Sequence, residues 1–173
     1  MDLLELLRTR RSVRRYSGEQ ISEDRLKRIL QAGLLAPSSR AIYPVELICV
    51  RDKAMLKKLS RCKTAGSAML EYADAAVVVT GDAAKSDAWI EDCSITMALM
   101  MTEATALGVG SCWVQCRGRS AGDTGTEEYV RSLLNIPERF GVLAVLSLGL
   151  PADKPAPREL PNAECEKVHH ERF

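Results

Sequence analysis

Hydrophobic residues fall along the chain in two periodicities, and the switches between them mark its elements. Leu3, Leu4, Leu6 and Leu7 predict a short leucine-rich helix. Ser22, acidic Glu23 and Asp24, and then Leu26, Ile29, Leu30 and Leu34 at helical spacing predict a capped second helix that Pro37 ends. Val45 to Val50 and Ala75 to Thr80, the latter bounded by Gly81-Asp82, are compact β-prone runs that read as buried strands. Between them, Lys53 to Tyr72 reads as helical with an interruption around Thr64-Ala65-Gly66.

From Asp87 to Leu107 the helical pattern continues, but Ile90, Ile95, Met97, Ala98, Leu99, Met100, Met101, Ala104 and Leu107 place apolar groups on nearly every face. A helix apolar all round is buried all round, which puts it at the centre of the fold and against a second subunit. Gly108-Val109-Gly110-Ser111-Cys112-Trp113-Val114 reads as a glycine-rich turn into a third strand, Gly118 to Gly125 as a polar loop, and Glu127 to Leu134 as a short helix stopped near Pro137. Gly141 to Leu150 is a fourth, strongly hydrophobic strand. Residues 151–173, with four prolines and little periodicity, read as an extended C-terminal arm. Helices and strands alternate without clean βαβ units, so the expected class is α+β, in one domain over 1–173.

Composition narrows the partners. The formal net charge is +1, so a local cluster of arginines does not belong to a globally basic surface, and nucleic acid becomes the minority reading. The first ten residues carry Asp2 and Glu5 with no cleavage-site pattern, and the longest apolar uncharged run, Ser94 to Thr102, is too short to span a bilayer. A cytoplasmic protein with no membrane association is expected. Cys49, Cys62, Cys93, Cys112, Cys116 and Cys165 form no CxxC pair, so reduced and mostly buried thiols are expected, and the spacing of Cys112, Cys116, His169 and His170 does not suit a metal.

The candidate chemistry lies in Arg8, Arg10, Arg11, Arg14 and Arg15, five guanidinium groups within eight residues with Ser12 among them. Arginine offers planar donors that match phosphate oxygens in pairs and stays charged at any working pH. Taken alone, the cluster is equally a solvated helix end whose cations favour the C-terminus of the leucine-rich helix. A dinucleotide fingerprint does not fit Gly108 to Gly110, because that turn follows a helix and precedes a strand.

Four motifs occur in order: RRSVRRY at Arg10 to Tyr16, APSSRAIYP at Ala36 to Pro44, LGVGSCWV at Leu107 to Val114, and LSLGLP at Leu146 to Pro151. Together they resemble the nitroreductase family of FMN-dependent oxidoreductases in its short form, over essentially the whole chain. The resemblance implies a nitroreductase-like α+β fold, with a central mixed, mainly antiparallel sheet flanked by helices, in an intertwined homodimer. It gives Arg10, Arg11 and Ser12 to the FMN phosphate and ribityl chain, with Arg14 in support. Charge-assisted hydrogen bonds of this kind contribute roughly 1.5–3 kcal/mol each. Pro37, Ser38, Ser39 and Arg40 would reach FMN from the neighbouring subunit. Gly110, Ser111 and Trp113 would lie near the flavin or ribityl portion, where a glycine backbone permits close approach. Gly149 and Arg158 match further cofactor contacts, the arginine to the phosphate.

Where relatives commonly read P-S-x-x-N-x-Q-P-W, this chain has Ala41, Tyr43 and Val45 in place of the two amides and the tryptophan. The activity implied is ping-pong transfer of electrons from NADH or NADPH through FMN to a small conjugated acceptor, a nitroaromatic or quinone, with no side chain required as acid or base. Two alternatives are a flavin-binding protein with little turnover, suggested by Ala41 and Tyr43, and a phosphate or nucleic-acid binding module led by the arginines.

Overall fold

The structure, a computed structural model, describes residues 2–162 and 167–173. Cys165 lies outside the described residues. The remaining five cysteines are free thiols, four of them buried and Cys49 exposed.

Among the described residues the α-helices are α1 (Leu3–Thr9), α2 (Glu23–Leu34), α3 (Lys53–Leu59), α4 (Trp89–Ala106) and α5 (Thr126–Leu134). Side chains cap three of them at the N-terminus: Asp2, Ser22 and Asp52 each accept from a backbone N–H three residues on. Four strands, β1 (Val45–Val50), β2 (Ala75–Asp82), β3 (Gly110–Gln115) and β6 (Phe140–Gly149), form one sheet in the order β1-β2-β6-β3. Every ladder in it is antiparallel; the parallel component is a single bridge between Ser12 and Ser111.

Several boundaries differ from the sequence pattern. The helix expected from Lys53 stops at Leu59, and a 3-10 turn at Ala68–Tyr72 follows the intervening loop. The polar loop after β3 contains a small hairpin, β4 (Ser120–Ala121) with β5 (Thr124–Gly125), whose strands are too short to carry a period. The third strand begins at Gly110, since Gly108 takes a positive φ of 70° just beyond α4 and ends the helix.

The two-residue period of the strands divides the core. In β2, Val77 and Val79 pack with Leu26 and Ile29 of α2 and Met97 and Met100 of α4. Ala76 and Val78 face the opposite layer, with Leu56 and Leu59 of α3 and Val130 of α5. The long helix is not buried all round within one chain. Cys93, Thr96, Met97, Met100 and Ala104 are buried, whereas Ile95 and Ala98 are exposed. No described helix is long and apolar enough to cross a membrane.

Candidate functional site

Between α1 and α2 the arginine segment runs extended along the free edge of β3. Ser12 bridges Ser111, the Val13 N–H donates to the Ser111 carbonyl at 2.9 Å, and Tyr16 bridges Pro151. The C-terminal arm then returns antiparallel over the same segment. The Ala152 N–H donates to the Arg15 carbonyl at 3.0 Å, the Arg11 guanidinium donates to the Ala156 carbonyl, and the Arg158 N–H donates to the Arg8 carbonyl at 3.0 Å. The arm is thus a strap on the arginine segment, held by backbone groups its irregular composition leaves free.

Two glycines make this docking possible. A Cβ on Gly110 would lie 2.7 Å from Val13 Cγ1, and one on Gly149 would lie 2.5 Å from Cγ and Cδ1 of Tyr16. Gly110 and Gly149 pair with each other across β3 and β6, so together they form the floor on which Val13 and Tyr16 rest. The Tyr16 hydroxyl donates to the Val13 carbonyl at 3.1 Å and shares a 2.7 Å hydrogen bond with Ser147 Oγ. Burial raises the Tyr16 phenol far above its ordinary range, only partly offset by Ser147, so it stays protonated and is no general base near pH 7.

The five arginines are not equivalent. Arg8 is neutralised by Glu5 at 2.7 Å, Arg15 Nε donates to Asp153 at 2.8 Å, and Arg11 turns toward the arm. Among the described residues, the guanidinium groups of Arg10 and Arg14 take no hydrogen-bond or ion-pair partner. Both, with Lys63, act electrostatically on the buried Cys112 thiol. Burial pushes that thiol up, while Arg14, Arg10, a hydrogen bond from Ser12 and Lys63 pull it back. Of these groups Arg14 also lines a recess of about 490 Å³, together with Arg15, Tyr16, Gly66, Ala68, Met69 and Tyr72. Apolar and aromatic walls next to unpaired cations suit a flat ring joined to a phosphate.

Arg11 and Val13, on the other side of the extended segment, line a separate cavity of about 530 Å³ with Gly108, Gly110 and the prolines of the arm. Arg158 stands in a third cleft with Leu4, Leu7 and Arg8. Trp113 lines none of these; its indole N–H donates to Gln115 Oε1 at 2.7 Å and its ring packs toward α4. Ser111 is 1% exposed, and its hydroxyl has no partner among the described residues. A buried hydroxyl left this way costs about 1–3 kcal/mol, which marks a place where a ligand's polar atom would fit.

Pro37, Ser38, Ser39 and Arg40 lie elsewhere. Ser38 Oγ donates to Asp92 at 2.7 Å and the Ser39 N–H donates to Asp92 at 2.9 Å, near the start of α4. The cavity lined by Arg11 instead meets α4 at Thr105, thirteen residues along and so roughly 20 Å away at about 1.5 Å per residue. Neither large cavity at the arginine segment includes any of these four residues. One chain therefore brings Arg10, Ser12 and Arg14 together and holds Pro37–Arg40 apart from them. Pattern reading missed Lys63 and Asp92. Lys63 enters the site only through the fold of its loop, and Asp92, beside Glu91 in the first turn of α4, reads in the sequence as an ordinary acidic helix start.

The nitroreductase family model matches residues 7–65 and 63–150 of the chain. A protein of Archaeoglobus fulgidus, named for NADH dehydrogenase or NAD(P)H nitroreductase activity, is 38% identical over 177 residues, with 99% of each chain covered. Among solved structures, an FMN-dependent nitroreductase of Clostridium difficile R20291 superposes with a TM-score of 0.95 at 36% identity, covering 98% of this chain and 99% of its own. A nitroreductase with bound FMN from Bacteroides fragilis superposes with a TM-score of 0.78 at 26% identity, covering 99% of this chain and 100% of its own. The family model spans most of the chain and the Archaeoglobus fulgidus relative covers nearly all of it, so the chain belongs to the nitroreductase family.

Proposed function

We propose that this protein is an FMN-dependent oxidoreductase that takes electrons from NADH or NADPH and passes them to a small conjugated acceptor such as a nitroaromatic or quinone, by a ping-pong mechanism. The observation that carries the cofactor assignment is the pair of guanidinium groups, Arg10 and Arg14, left without a partner among the described residues on one extended segment whose Arg14 lines the 490 Å³ recess. Bound FMN supplies the redox chemistry, accepting a hydride and returning electrons to a second substrate. The protein's part is to hold and orient. Arg10, Ser12 and Arg14 hold the phosphate and ribityl end, with Arg11 and Arg158 bracing the segment through the arm. Tyr16, Ala68, Met69 and Tyr72 exclude water from one side of the recess. The unpartnered Ser111 hydroxyl, next to Gly110 and Trp113 on β3 and opposite Gly149 on β6, offers a hydrogen bond to the cofactor.

The functional unit is a homodimer in which Pro37, Ser38, Ser39 and Arg40 of the partner complete the site. Two features support this: the separation of the two half-sites along α4, and the apolar surface one chain leaves open. Helix α1 buries none of its residues although Leu3, Leu4 and Leu7 lie on it, and Leu34, Leu35 and Ile95 are also exposed. A cytoplasmic location accompanies this reading.

Protein purified from a native source or reconstituted with FMN should be yellow, sediment as a dimer, bleach with NADH or NADPH and recover its colour with a nitroaromatic. Failure to bind FMN in any preparation refutes the proposal. Bound FMN that neither nucleotide bleaches favours the reading as a flavin-binding protein with little turnover, which the Ala41 and Tyr43 replacements motivate.

A further inference from the structure

Asp92 is a charged group 3% exposed in the first turn of α4, and its partners all belong to one loop. Its two oxygens accept from Ser38 Oγ at 2.7 Å and from the Ser39 N–H at 2.9 Å. Ser38 Oγ in turn accepts from the Tyr43 N–H at 2.9 Å, so the carboxylate grips both ends of the segment 38–43. Between those ends the backbone is strained. Arg40, Ala41 and Tyr43 have φ values of 53°, 54° and 51°, in the left-handed region that disfavours residues with a Cβ. Three such residues in one short loop persist only where surrounding contacts over-determine them. Backbone hydrogen bonds from the Ala41 N–H to the Ser38 carbonyl and from the Ile42 N–H to the Ser39 carbonyl lie within the loop, and among the described residues its other side-chain tether is the Arg40 ion pair with Asp87, whose members are both largely exposed. Asp92 is therefore the principal anchor. The strain turns the Tyr43 side chain outward, 63% exposed, from the place where relatives carry an amide.

We propose that Asp92 is the positioning residue of the flavin site: by holding Ser38 and Ser39 it fixes the left-handed loop that presents Arg40 and Tyr43 to the flavin of the partner subunit. This rests on the dimeric flavin site proposed above. Asp92 touches neither cofactor nor substrate. It sets the shape of the loop that does.

The test compares Asp92→Ala, Asp92→Asn, Ser38→Ala and Tyr43→Ala in FMN-reconstituted dimers, reading FMN Kd by quenching of flavin fluorescence, and acceptor KM and kcat separately at saturating FMN. Asp92→Ala should raise FMN Kd and acceptor KM at least about tenfold, with a smaller change in kcat. Asn keeps an oxygen for the Ser39 N–H and an amide that can donate to Ser38, so Asp92→Asn should recover most of that loss, which a merely destabilised α4 would not predict. Ser38→Ala leaves α4 intact and should reproduce the Asp92→Ala defect, which keeps the test decisive if Asp92→Ala does not fold. The inference is overturned if Tyr43→Ala alters Kd or KM while Asp92→Ala and Ser38→Ala do not. If none of the variants alters either constant, the partner loop is not at the flavin, and the dimeric reading of the site fails with it.

Discussion

Replacing Gly149 with alanine should unseat the arginine segment from the sheet. The added methyl would stand 2.5 Å from Cγ and Cδ1 of Tyr16 and 3.0 Å from its Cβ, closer than unbonded carbons approach. The ring cannot simply tilt away, because its hydroxyl is tied to the Val13 carbonyl and to the fully buried Ser147. Overpacking of this kind costs about 1–3 kcal/mol. Breaking the Tyr16–Ser147 pair adds about 1–2 kcal/mol, giving a total on the order of 2–5 kcal/mol. For a chain of this length that lowers Tm by on the order of 10 °C. Displacement of Tyr16 also moves Arg14, which lines the same recess, so FMN Kd should rise at least about tenfold. Differential scanning fluorimetry and flavin fluorescence titration measure the two effects. Tyr16→Phe combined with Gly149→Ala should cost less than the two changes separately, because the untethered ring can yield. A Gly149→Ala protein with the wild-type Tm and FMN Kd would refute the account of how β6 seats the site.

Arg10→Ala and Arg14→Ala should each weaken FMN binding by roughly 10- to 150-fold, the loss of one charge-assisted hydrogen bond, whereas Arg8→Ala, already neutralised by Glu5, should change it by less than about threefold. The same fluorescence titration checks all three. Asp74, which accepts from the Ile21 N–H at 3.0 Å and from Arg51 at 2.7 Å, ties the entry of α2 to the loop after β1. Asp74→Ala should cost about 2–4 kcal/mol in urea denaturation with FMN affinity unchanged. Burial, with Asp92 beside it, pushes the Cys93 thiol from an ordinary value of 9.0 up to about 12. The unfolded chain releases this proton first, so the contribution of Cys93 to stability is complete below pH 9 and is lost as pH rises toward 12. Urea titrations across that window should give a fall up to about 1.4 kcal/mol per pH unit shallower in Cys93→Ala than in wild type.

Much of the fold is legible in local pattern. Ser22 caps α2 as its sequence predicts, and Val45–Val50 is a strand over the expected residues. Ala75 and Val77 mark a strand that continues through Gly81 to Asp82, because pairing with β6 extends it beyond the apolar run. The segment after α3 failed to continue as a helix because Ser67 instead hydrogen-bonds back to the Ser60 carbonyl at 2.7 Å, closing a loop that no helical period describes. That loop carries Lys63 toward the Cys112 thiol, which is why Lys63 left no mark in the pattern.

The sequence by itself determined the family, the alternation of helices and strands, and the presence of a cationic segment fit for a phosphate, since residue type, spacing and motif order are local properties of the chain. Only the tertiary structure decided which arginines are free for it. Arg8, Arg11 and Arg15 are engaged by Glu5, the Ala156 carbonyl and Asp153, while Arg10 and Arg14 have no partner among the described residues and Arg14 lines the recess. The ion pair that neutralises Arg15 joins residues 138 apart along the chain, and nearness in space between such partners exists only once the chain is folded.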